Sequence, residues 1–171
     1  MDRVDPMSIV RGHEKLTELF GEWPSFHDAE VTDISIWRGD VDPDAGKYVF
    51  PVLTVKLVVQ ELVESNDGNG VGSLTLVPRA DVILRFHDVF ELKLDDFNHE
   101  NMIVDLAFSL LARGHYTNGE PLPPYIFVKF GRGFGLEAAF KCFAAEVISV
   151  AARSGGGPAT ANHESLRIPP S

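Results

Sequence analysis

The first apolar residues of the chain recur at helical spacing. Ile9, His13, Leu16 and Phe20 fall on one face, with Leu19 beside them, which predicts an N-terminal helix. Asp5-Pro6 or Ser8 supplies a start signal and Gly21 a stop. From Ala29 onward the pattern is that of strands. Leu53, Val55, Leu57 and Val59 alternate with Thr54, Lys56 and Val58, and Asn66-Asp67-Gly68-Asn69-Gly70 reads as a turn or loop. Val82, Leu84 and Phe86 alternate next, then a His87-Asp88 turn leads to Phe90, Leu92 and Leu94.

Residues 102–111 fit two periods. Met102, Val104, Leu106, Phe108 and Leu110 suit a strand, whereas Met102, Ile103, Leu106 and Leu110 suit a helix. The neighbouring strands decide for a strand. Residues 114–124 read as a loop closed by Leu122-Pro123-Pro124. Residues 125–130, 134–142 and 145–151 read as three closing strands, with Gly131-Arg132-Gly133 as the hairpin turn between the first two. The expected fold is α+β, an N-terminal helix packed on a mostly antiparallel β-sheet or sandwich.

Length and composition narrow this further. A chain of 171 residues with 44% hydrophobic content suits one globular domain, expected over residues 1–152. The remainder, 153–171, reads RSGGGPATANHESLRIPPS and holds too few large apolar residues to order itself, so a disordered tail is expected. A single cysteine, Cys142, allows no internal disulfide and fits a reducing compartment. The opening MDRVDPMSIV lacks the apolar run of a signal peptide, and the longest apolar run, near residues 102–112, is interrupted by Asp105. A cytoplasmic protein with no membrane contact is the expectation. The formal net charge of −10 argues against nucleic acid and would suit a basic protein partner. Acidity that merely keeps the chain soluble is the simpler explanation.

The candidate chemistry centres on WPSFHDAEV, residues 23–31. Trp23 and Phe26 are expected to be buried beneath His27, Asp28 and Glu30. A strand running unbroken from His27 to Arg38 would put both carboxylates on the face of Ile34 and Ile36, the core side. Carboxylates placed there must be bonded, sit at the rim or be moved out by a bulge. The cluster is therefore either a polar plug that fixes a chain corner, or an acid–base or metal site. Phe86-His87-Asp88 repeats the FHD triplet, and Asn98-His99-Glu100 is a third cluster, but no spaced ligand motif is present and no metal or other cofactor is expected. The residues after the two FHD triplets share only loose strand character, so the repeat reads as coincidence. Gly131-Arg132-Gly133-Phe134-Gly135 lacks the ending of a phosphate loop, and Cys142 sits in no catalytic signature.

A short helix ending in Phe-Gly, followed by WPSFHDAEV and a strand, resembles the bacterial immunity protein 50 family. The similarity continues through LRFHDVFELKLDDFNHENMIVDL, where Asn98 and Asn101 are one residue tighter than the family's spacing, and on to GLEAAFKC. It spans roughly residues 13–151. The resemblance implies a protein that neutralises a cognate toxin by binding it, and it carries no toxin-contact residue over to this chain. A basic toxin would be met by acidic groups, for which Asp40, Asp42 and Asp44, or Asp95 and Asp96 with Glu100, are the candidates. Two rival readings stand beside this one. The first is a small hydrolase working through His27, Asp28 and Glu30, with or without a metal. The second is a structural subunit whose sheet edge pairs in a homo-oligomer.

Overall fold

Alternating apolar residues turn most of the chain into strands. The computed structural model describes residues 3–60, 62–67, 71–76 and 79–153. Strand β1 (Val10–Arg11) and helix α1 (Glu14–Phe20) come first. There follow β2 (Ala29–Trp37), β3 (Asp40–Asp42), β4 (Lys47–Val49), β5 (Val52–Val59), β6 (Leu62–Asp67) and β7 (Val71–Leu76). The chain closes with β8 (Ala80–His87), β9 (Phe90–Asp95), β10 (Met102–Leu111), β11 (Tyr125–Phe134), β12 (Glu137–Cys142) and β13 (Ala144–Ala152).

Nine strands form one large mixed sheet in the order β1-β13-β8-β5-β2-β10-β11-β12-β9. Only β1 and β13 pair in parallel; the other pairs are antiparallel. Two small hairpins, β3-β4 and β6-β7, stand apart from it. The inward residues of β5 (Leu53, Val55, Leu57, Val59) and β8 (Val82, Leu84, Phe86) share a core with Phe108, Val128, Phe130 and Phe140. The Phe86 ring lies 4.8 Å from Phe140 and 6.3 Å from Phe130, so strands far apart in the sheet order meet through their side chains. The stretch 102–111, ambiguous by period, is a strand.

The expected helix is shorter than its pattern. Asp5 does act as a start signal, accepting the Met7 N–H at 3.0 Å, but it caps a single 3-10 turn over Pro6–Ser8. Val10 then pairs with Ala145 in the sheet, and the α-helix begins only at Glu14. Pairing with an available strand edge has won over helical propensity. Leu16 and Phe20 are buried members of the core, and Gly21 ends the helix in the left-handed region.

Gly131-Arg132-Gly133 is also not a turn. It lies inside β11, and the reversal comes later, at Gly135-Leu136. A Cβ on Gly131 would stand 2.0 Å from Asp105 Oδ1, because β10 carries irregularities in register between Met102 and Asp105. The glycines answer the close approach of a neighbouring strand. Gly68 to Gly70 of the expected turn and residues 154–171 of the expected tail lie outside the described residues. Among the described residues no helix is long and apolar enough to cross a membrane.

Candidate functional site

After Gly21 the chain turns a corner built by WPSFHDAEV. Phe26 is fully buried, and the Trp23 ring, half-buried, lies 5.5 Å from it and 5.9 Å from Phe108. Phe26 and Asp28 take φ values of 58° and 61°, a left-handed conformation rare for residues other than glycine. Backbone bonds hold it. The Asp28 N–H donates to the Ile103 carbonyl at 2.9 Å, and Val31 N–H donates to the Asn101 carbonyl at 2.9 Å. Within the corner, Ala29 N–H donates to Phe26 O at 3.1 Å and His27 N–H to Ser25 Oγ at 3.1 Å.

The carboxylates are not on the core face. Strand β2 begins at Ala29, beyond Asp28, and Thr32 is an extra residue between the pairs Val31↔Leu57 and Asp33↔Lys56. Before this bulge Ala29 and Val31 are buried; after it Ile34 turns to the core. The unbroken alternation assumed from the sequence fails at Thr32, and the bulge leaves Glu30 on the opposite face from Ala29 and Val31. Asp28 Oδ2 lies 3.1 Å from His27 Nδ1 with both side chains about two-thirds exposed (66% and 64%), so the pair is screened and weak. Glu30 faces Arg79 at 3.9 Å.

These side chains line an open polar pocket of about 500 Å³ together with Ser25, Gln60, Val58 and Met102. Its groups can hydrogen-bond a polar molecule. The three histidine–carboxylate clusters do not converge: among the described residues no three His, Cys, Asp or Glu side chains gather as a metal-ligand set. In the second FHD, Phe86 is buried and His87 Nε2 lies 2.9 Å from Glu146 Oε1, while Asp88 takes φ 55°. The two triplets thus share an inward phenylalanine and a left-handed aspartate, in different strand contexts. His99 and Glu100 lie 3.9 Å apart and point to solvent.

The acidic candidates fall on two surfaces. Asp95 and Asp96 both approach Arg132, at 3.9 and 2.8 Å, so that patch is partly neutralised. Asp40 and Asp42 lie on β3, and Asp44 in the turn to β4. Asp40 pairs with Lys47, and Asp42 Oδ1 accepts the Ala45 N–H at 3.1 Å, while Asp44 makes no ion pair among the described residues. Gly39 sets this hairpin against the sheet: at φ 88°, its added Cβ would lie 2.0 Å from the Val49 carbonyl oxygen.

What the sequence reading missed is the apolar side of this hairpin. Val41 pairs with Tyr48 across β3 and β4, and both are more than half exposed, at 52% and 58%. Ile36 near the end of β2 and Phe50 just after β4 are exposed as well. The signal was present: Asp42-Pro43-Asp44-Ala45-Gly46 is a turn sequence between two short runs that each carry a large residue. No family model, no curated protein and no solved structure matches the chain.

Proposed function

We propose that the chain is a protein-binding module of the immunity type, which neutralises a cognate basic toxin by covering part of its surface. The observation that carries the reading is the exposed Val41–Tyr48 pair on a hairpin that also carries Asp40, Asp42 and Asp44 in β3 and the turn after it. An exposed aromatic and aliphatic pair on a hairpin rich in carboxylates suits a protein docking surface, where aromatic anchors carry affinity and charge steers the encounter. The carboxylates match the positive potential of a toxin that acts on a polyanion.

A second, hydrolytic reading draws on the polar pocket over His27, Asp28 and Glu30. Co-expression with the cognate toxin that the first reading implies separates the two. A binder loses growth protection on Val41→Lys with Tyr48→Glu and keeps it on His27→Ala with Glu30→Gln. Protection that survives the first pair and fails with the second supports the hydrolase instead.

A further inference from the structure

The outer face of the sheet carries a groove that the docking hairpin does not explain. Register places Trp37, Val52 and His87 in one cross-strand row, and Ser35, Thr54, Arg85 and Glu146 in the next. With Val49 from the hairpin, these side chains, Glu146 excepted, line an open groove of about 410 Å³. Its wall is the half-exposed Trp37 indole, and its polar groups are the Ser35 and Thr54 hydroxyls, His87 and Arg85.

Arg85 is half-buried, yet among the described residues it makes no hydrogen bond and no ion pair. Its cross-strand neighbour Glu146 feels the Arg85 charge but is hydrogen-bonded to His87 at 2.9 Å and faces Arg11 at 3.9 Å. Asp88, next in sequence to His87, lines a separate aromatic pocket. One carboxylate is thus shared among two arginines and a histidine, a local excess of positive charge on a chain of net charge −10. A half-buried guanidinium that makes no hydrogen bond among the described residues, lining an open groove, favours a planar oxyanion that can accept two parallel hydrogen bonds.

We infer that this groove binds a small organic oxyanion, a carboxylate or a phosphate ester, with its charged group on Arg85 and a flat apolar body against Trp37. The hydroxyls of Ser35 and Thr54 donate further hydrogen bonds to the same oxyanion. The site goes beyond the toxin-binding reading and does not depend on it.

Amide and indole NMR shifts test this on the full chain, with benzoate, phenyl phosphate, inorganic phosphate and benzamidine as probes. The aromatic anions are expected to shift the Trp37 indole N–H and the amides of Ser35, Thr54 and Arg85 saturably. Benzamidine, flat but cationic, leaves them in place. Benzoate and phenyl phosphate titrated in parallel tell a carboxylate preference from a phosphate one. Arg85→Gln weakens binding about tenfold or more, and Arg85→Lys, which keeps the charge without the fork, weakens it less. The wild-type shift map serves if either variant fails to fold. No saturable shift with either aromatic anion, equal response to benzamidine, inorganic phosphate binding as tightly as phenyl phosphate, or unchanged affinity in folded Arg85→Gln each overturns the assignment.

Discussion

Asp28 and Asp88 hold φ values of 61° and 55°, and this, rather than carboxylate bonding, is what their positions demand. Aspartate tolerates the left-handed region better than alanine does, and glycine better than either. Asp28→Ala is therefore expected to lower unfolding free energy by about 1 kcal/mol, with Asp28→Gly close to wild type. Urea titrations of the two variants check the order; equal losses would assign the effect to the side chain's partner His27. Cys142 behaves as a small apolar core residue. Fully buried, its thiol is pushed up to about 12, first by burial and then by the Asp88 charge. A thiol reagent at neutral pH is expected to label it only after denaturant is added. Rapid labelling of the native chain would contradict that burial.

At the scale of elements, β13 is tied to its neighbours by charge as well as by backbone pairing. Burial works to raise the Glu146 pKa, but the His87 hydrogen bond and the charges of His87, Arg11 and Arg85 outweigh it and hold the carboxyl below its ordinary value. A carboxyl whose folded pKa is depressed contributes stability above its unfolded pKa of about 4.3, and loses it as pH falls through the folded value. Glu146→Gln should thus be less stable than wild type at pH near 7, with the gap closing below pH of about 4. Denaturation at both pH values measures this, and a gap that persists in acid would point to packing. Much of this level was legible in the sequence. Strands β5 and β8 follow from their alternation, because one face of each is buried and the period is 2. Three features escaped it for physical reasons. A bulge at Thr32 inverts the alternation it interrupts, Gly131 answers a neighbouring strand rather than its own turn, and Val10 joins a strand more than a hundred positions away. All three are set by partners distant in the chain, which a local period cannot encode.

For the whole molecule, a net charge of −10 matters through where the carboxylates stand. Asp95 and Asp96 are partly offset by Arg132 and Asp40 by Lys47, whereas Asp42 and Asp44 make no ion pair among the described residues and share a hairpin with the exposed Val41 and Tyr48. On the proposed binding reading, the charges govern the approach and Tyr48 with Val41 the stay. Salt separates the two, since charges farther apart than the Debye length, about 8 Å at physiological ionic strength, are screened. The association rate with the cognate toxin that the proposed function implies, at low and high salt, is the direct measurement. Reversing Asp40, Asp42 and Asp44 to Lys should slow association by about tenfold at low salt and remove most of its salt dependence, while the chain stays folded with a slightly lowered melting temperature from the lost Asp40–Lys47 and Asp42–Ala45 bonds. Reversing Asp95, Asp96 and Glu100 should do much less. An unchanged rate in the hairpin variant, or a larger effect from the second set, would contradict the assignment of the hairpin as the docking surface.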